Sequence, residues 1–257
     1  MNFPPPLSEN PLPESLPPKT AAWDIPFDWI DIAAYFVIAF LLSEIAFPLV
    51  VILVYLSKGG TLQAVASLNI PVIWSLILQF AFDLGLLLPV VGLVVIRHHR
   101  GMGVVGWKRP TSWWWLVAAP AVVIVAEGVS MLLLLLSELI MHQPATAQCE
   151  IIKRQYGNAL ALAIIAVCFF APIAEETAFR GFLYGWMRKH MPVWGAAVAS
   201  GLVFAIAHTD IQLLLPLWAV GIILALVYER ARSLFPGMLI HGLFNLIGII
   251  LILKQPC

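Results

Sequence analysis

The sequence predicts an all-α fold, a polytopic transmembrane helix bundle of about seven helices, and three observations lead there. Of the 257 residues 61% are hydrophobic and 11% charged, with a mean hydropathy of +0.95, far from the roughly 45–50% apolar and ~25% charged content of soluble domains. The apolar residues are gathered into long stretches separated by short polar breaks, and about 20 such residues suffice for one crossing of a bilayer. Tryptophans stand beside the ends of several stretches, where an amphipathic ring suits the headgroup layer.

Residues 1–28 are expected to form a proline-rich N-terminal tail. Met1–Thr20 holds seven prolines and no apolar run, the composition of extended or unfolded chain. The basic segment and short apolar core of a signal peptide are missing, so the first helix is expected to stay as an anchor. The transmembrane domain then occupies residues 29–257. Its apolar stretches run Ile32–Leu56, Ile70–Ile96, Trp113–Leu136, Ala159–Met187, Val193–Ala207, Leu213–Val227 and Phe235–Leu253, seven by count with six to eight as the range. Trp23, Trp29, Trp107, Trp113, Trp114 and Trp115 are expected as interfacial anchors.

Lys and Arg in the breaks set the orientation, because cytoplasmic loops carry the excess. Placing the 97–112 loop inside puts Lys19, Arg97, Arg100, Lys108, Arg109, Arg188, Lys189, Arg230 and Arg232 on one side, against Lys58, Lys153, Arg154 and Lys254 opposite. The N-terminus is therefore expected in the cytoplasm, and the location to be a cell membrane of prokaryotic type. Fourteen basic and fourteen acidic side chains cancel without any long run of one sign, which gives a nucleic-acid partner no support. Cys149, Cys168 and Cys257 form no C-x-x-C pair and no disulfide framework. Cys257 is followed by nothing that would make it a prenyl acceptor.

Ionisable side chains inside a membrane cost at least ~2.5–3.5 kcal/mol on insertion scales, so each asks for a reason. Glu44, Asp83 and Glu127 stand alone on the first three helices, where a packing hydrogen bond or a water-lined cavity would account for them. The others cluster in the last hundred residues: Glu175, Glu176 and Arg180 in APIAEETAFRGF, His208 in FAIAHTD, and His241 with Asn245 in IHGLFN. Glu176 and Arg180 are spaced i, i+4 with the acid first, the favourable order for a helical ion pair, and Glu175 points about 100° away. His241 and Asn245 also share one helix face, and Phe204 and His208 another. A carboxylate, two imidazoles and a carboxamide can activate a water and hold an oxyanion. The same residue types also line proton and ion pathways. A zinc site is disfavoured, because H-E-x-x-H is absent and no close ligand pair lies on one helix. No cofactor is expected. Gly181 and Gly185 form a G-x-x-x-G pair that would permit close helix contact.

The three motifs, E-E-x-x-x-R as Glu175, Glu176 and Arg180, F-x-x-x-H as Phe204 and His208, and H-x-x-x-N as His241 and Asn245, resemble in order and spacing those of the CPBP family. That family groups type II CAAX prenyl endopeptidases with bacteriocin-processing and immunity-like, or abortive-infection, proteins. The resemblance covers about residues 160–250, with a weaker echo in VGWKRP at Val105–Pro110, and places the motif-bearing core at about 159–253. It implies an intramembrane glutamate endopeptidase acting on a membrane-associated or lipidated peptide or protein. In that reading Glu175 is the general base on water, His208 assists it, and His241 with Asn245 forms the oxyanion hole. Glu176 and Arg180 brace the helix, and Phe204 shapes the pocket wall. The other readings are a non-proteolytic immunity or scaffold protein and a proton-coupled transporter.

Overall fold

The computed structural model describes residues 23–67, 69–142 and 159–254, and among them every regular element is helical. The long helices are α1 (Trp29–Ser57), α2 (Val72–Arg97), α3 (Trp114–Met141), α4 (160–190), α5 (Val193–Ala207), α6 (Leu214–Ala231) and α7 (Leu234–Lys254). A short helix, Leu62–Ala66, and a 3₁₀ turn, Met102–Val105, lie between them. Five, namely α1, α2, α3, α6 and α7, are long and apolar enough to cross a membrane. Of the remaining two, α5 has 15 residues, and α4 carries Glu175, Glu176 and Arg180 in its middle. The polytopic helical bundle expected from the apolar pattern is what the chain forms. Lys19, Cys149, Lys153, Arg154 and Cys257 lie outside the described residues.

Element ends depart from the apolar pattern where polar side chains find partners. Asp28 and Asp31 cap each other's backbone N–H groups in a reciprocal box, so α1 begins at Trp29 rather than at Ile32. Beyond the expected end at Val227, α6 continues through Glu229. The Glu229 carboxylate accepts the Tyr184 hydroxyl at 2.8 Å and the Arg188 Nε–H at 3.0 Å. α4 contains two π-helical stretches, Ile164–Phe170 and Glu176–Tyr184. An apolar sequence gives no sign of such widening, which recurs at functional sites.

One core joins the first, second, fourth, fifth and sixth helices around Phe27, Tyr35, Val94, Phe182, Tyr184 and Phe204. A second, built on Ala119, Val123, Leu224 and Ile240, fastens α3 to α6 and α7. Residues 23–28 belong to the first core: Ile25 and Phe27 are buried, and their carbonyls accept from the Lys189 ammonium. At this end the 97–101 segment, the end of α4, the end of α6 and the start of α1 meet through the pairs Arg97 with Asp31, Arg100 with Asp24 and Arg188 with Glu229.

Two of the tryptophans expected at the interface turn inward. Trp23 packs against Tyr184 and Tyr228 beneath the Arg232 guanidinium, and Trp107 donates its indole N–H to Thr177 at 3.0 Å. Trp29, Trp113 and Trp114 are exposed. The Gly181 and Gly185 pair likewise meets no helix. A Cβ at Gly181 would lie 2.5 Å from the Val105 carbonyl oxygen, and one at Gly185 would lie 3.2 Å from the Ile25 side chain. The pair is a seat for the 3₁₀ turn and the N-terminal segment. A close helix crossing lies instead between α5 and α6, where a Cβ at Gly221 would sit 2.7 Å from the Gly201 Cα.

Gly221→Leu is accordingly expected to cost about 1–3 kcal/mol or more through overpacking, read as a lower midpoint of thermal unfolding in detergent. Gly128→Ala on α3, where a Cβ meets nothing within 4 Å, leaves the midpoint unchanged or raises it.

Candidate active site

α4 presents its two acids at a change of helical pitch. Glu175 ends the regular stretch Ala171–Glu175, and Glu176 opens the π-helical one. Neighbouring side chains diverge by about 100°, so the carboxylates address different partners. Glu176 is fully buried, with Oε1 at 2.9 Å from Arg180 Nη1 and at 3.0 Å from His241 Nδ1. The guanidinium approaches outside hydrogen-bond geometry, and neither Nη1 nor Nη2 has an aligned acceptor. The contact is therefore one of charge. The guanidinium carbon lies 4.3 Å from the centre of the Phe204 ring, a cation–π arrangement.

Glu175 faces the two imidazoles. Its Oε2 lies 3.9 Å from His208 Nε2 and 3.7 Å from His241 Nε2, and no protein group hydrogen-bonds to that oxygen. Gaps of this width exceed a direct hydrogen bond and suit a bridging water. His208 closes α5. Its Nδ1 is 2.8 Å from the Phe204 carbonyl one turn back. A carbonyl oxygen can only accept, so Nδ1 carries the proton, and in the neutral ring Nε2 offers a lone pair toward Glu175. Thr209, at φ 54°, turns the chain out of the helix. The side chains of His208, Glu175 and His241 are 28%, 12% and 5% exposed, a gradient that opens the cluster on the His208 side.

Phe204 ties the cluster together. Its ring centroid is 4.6 Å from His208, 5.8 Å from His241 and 5.2 Å from Phe179. Asn245, one turn beyond His241, donates one amide N–H to the Val167 carbonyl at 2.8 Å. Six of the seven residues singled out from the sequence thus gather in one cluster, while Asn245 is tied to the backbone of α4 with a second amide hydrogen to give.

Three features escaped the sequence. The contact between His241 and Glu176 gives the buried acid a second partner besides Arg180. Trp107, in the VGWKRP segment, holds Thr177, next to Glu176, and Thr177 in turn donates to the Ile173 carbonyl at 2.7 Å. Asp83 on α2, solitary in the sequence, is 3% exposed and in electrostatic contact with Glu175. Of the other isolated acids, Glu44 is exposed, and Glu127 keeps a buried Oε1 without a hydrogen-bond partner. Among the described residues no three His, Cys, Asp or Glu side chains converge on a common metal position.

Residues 157–247 match the family described as Rce1-like, type II CAAX prenyl endopeptidase. In the same way the chain is similar to YdiL of Bacillus subtilis, a membrane peptidase by name, with 29% identity over 97 residues, 38% of this chain and 40% of that protein. It is 34% identical over 93 residues to the UPF0177 protein in the abiGi 5′ region of Lactococcus lactis, covering 35% of this chain and 38% of the relative. To the membrane-embedded CAAX protease MroQ of Staphylococcus aureus it is 28% identical over 119 residues, covering 44% and 47%. The chain thus spans less than half the length of these relatives. No solved structure matches it significantly.

The buried charge cluster is testable by itself. Glu176→Gln leaves the Arg180 guanidinium uncompensated in a dry interior, and Arg180→Met does the same to the acid. Each is expected to lower stability by about 3–5 kcal/mol. The double variant is expected to lose less than the sum, because neither charge then remains alone. Thermal unfolding of the purified protein in detergent measures all three.

Proposed function

We propose that the chain is an intramembrane endopeptidase, its catalytic unit formed by residues 159–253, that hydrolyses a peptide bond in a membrane-associated or lipidated peptide or protein. The observation that carries this reading is the unpartnered Glu175 oxygen facing two imidazoles across gaps that suit one water. The match of residues 157–247 to type II CAAX prenyl endopeptidases supports it.

Water between Glu175 and His208 gives a proton to the carboxylate while its oxygen attacks the carbonyl carbon of the substrate. His208, held by the Phe204 carbonyl, presents Nε2 to that water and orients it. The carbonyl oxygen becomes an oxyanion, for which Asn245 has a free amide N–H and His241, when doubly protonated, an Nε2–H. Collapse of the tetrahedral intermediate breaks the C–N bond. Glu175 returns its proton to the departing amine, so water is consumed and a carboxylic acid and an amine are released without a covalent enzyme intermediate. Glu176 takes no part in these transfers. It fixes the His241 ring through Nδ1 and is itself balanced by Arg180.

The basic end, with Arg97, Arg100, Arg188 and Arg230, is placed in the cytoplasm by the same reading, and with it the start of α1. The protein then resides in a cell membrane with its substrate reaching the site from within the bilayer.

Glu175→Gln is expected to lower peptide cleavage by about 100-fold or more while the protein stays folded. Comparing peptides that accumulate in wild-type and Glu175→Gln cells by mass spectrometry checks this and names the substrate. Identical peptide sets, or full cleavage activity in both Glu175→Gln and His208→Ala, would contradict the reading, and rescue of a cellular phenotype by the inactive variant would point to a binding role.

A further inference from the structure

An acid buried in an apolar helix calls for an explanation, and Asp83 has half of one. Its Oδ1 accepts from Gln79, one turn earlier on α2, at 3.1 Å. Its Oδ2 is buried without any hydrogen-bond partner. An unmet buried acceptor destabilises a fold, so the place of that oxygen matters.

Its neighbours along α2 show where the orphaned oxygen sits. α2 runs beside α4, with Val72 and Leu76 packed on the buried pair Ala166 and Ile249, which Val167 and Cys168 also cover. One turn on, the Phe80 ring meets Phe170 edge to face, centroids 5.2 Å apart. The register continues, and Asp83, three residues past Phe80 on the same face, arrives beside the Ala171–Glu175 stretch. There, where α2 packs on that stretch, it feels the charge of Glu175, whose Oε2 is likewise buried without a hydrogen-bond partner. Of the other charged groups about the pair, His208 and His241 face Glu175 at 3.9 and 3.7 Å, and Arg180, paired with Glu176, also feels the charge of Glu175. Asp31 on α1 is held by Arg97 and His98, and Glu44 is exposed.

We propose that Asp83 is a positioning residue of the hydrolytic site, its unpartnered oxygen confronting that of Glu175 and fixing the carboxylate in the orientation from which it takes a proton from water. The proposal rests on the endopeptidase reading for its consequence, but not for the pairing itself. Both orphaned oxygens lie where α2 packs on the Ala171–Glu175 stretch, and a polar link between them, direct or through one water, holds the Glu175 carboxylate in one direction. A carboxylate tethered in this way has one orientation instead of several, and misplacement of a reacting group by about 1 Å can cost 10²-fold in rate.

Purified full-length protein in detergent serves for the test, with Asp83→Leu, Asp83→Asn, Glu175→Gln and the double variant Asp83→Leu/Glu175→Gln. On a peptide that the wild type cleaves, Asp83→Leu is expected to lower kcat about 10- to 100-fold with KM unchanged, while its unfolding midpoint holds or rises, since an apolar isostere removes a buried orphan. Asp83→Asn, which keeps a polar atom toward Glu175, recovers part of the loss. A structural brace would behave in the opposite way, losing midpoint and keeping kcat, and a kcat within about twofold of wild type in Asp83→Leu overturns the proposal. The midpoints of the four proteins form a second arm that needs no activity. Coupled carboxyls make the two single shifts sum to more than the double variant's, because each substitution relieves the same repulsion. Additive shifts overturn the pairing even if peptide hydrolysis is established, and coupled shifts in a protein that cleaves nothing uphold the pairing while the endopeptidase reading fails. If Asp83→Leu does not fold, Asp83→Asn with Glu175→Gln supplies the same cycle.

Discussion

The carboxylate of Glu176 is fully buried between the Arg180 guanidinium and the His241 imidazole, and most of the site's geometry follows from keeping it satisfied. Arg180 reaches it from one turn along α4, and His241 reaches it from α7. A buried charge of this kind is costly to leave alone, so α4 and α7 are held at the distance that lets both partners reach one oxygen. The Phe204 ring, stacked under Arg180 and edge-on to His241, extends the same constraint to α5. Three helices fixed around one buried anion also set the side on which Glu175 leaves α4. It is turned away from Arg180 by the helical step and toward the imidazoles by what remains.

The polar loop before α3 completes the arrangement from outside the bundle. Its 3₁₀ turn lies against the bare backbone at Gly181, and Trp107 ties down Thr177, the residue after Glu176. Ser233 Oγ donates to the Lys108 carbonyl at 2.6 Å, and the Leu234 N–H donates to the Gly106 carbonyl at 3.0 Å, so one segment also sets where α7 begins. The second π-helical stretch of α4, Glu176–Tyr184, lies against this wedge at Gly181, and every one of its residues is buried.

Apolar content made the bundle legible in the sequence, because lipid leaves the backbone of a spanning segment few options but the helix. The site was legible for a related reason: Glu175, Glu176, Arg180, His208 and His241 are expensive in such helices, and their i, i+4 spacings state which faces they share. What the spacing does not encode is the partner across a helix gap. The His241 contact with Glu176 and the level of Asp83 beside Glu175 depend on register between helices far apart in sequence, to which no local period refers. Gly181 and Trp107 misled for a kindred reason. A small residue permits close approach by any backbone, and an indole beside an apolar stretch suits both a headgroup layer and a buried threonine hydroxyl.

The shortness of α5 has a consequence for the membrane itself. The helix rises about 22 Å over its length, against a hydrocarbon core of ~30 Å. Leaving the basic end of the bundle, it ends at His208 about 8 Å, or about one and a half turns, short of that thickness. Lipid beside a segment that ends early has to thin, or the space above it has to fill with water. In the endopeptidase reading, hydration of the His208 and Glu175 pair would follow this mismatch, so that a thicker bilayer would dry the site and a thinner one wet it.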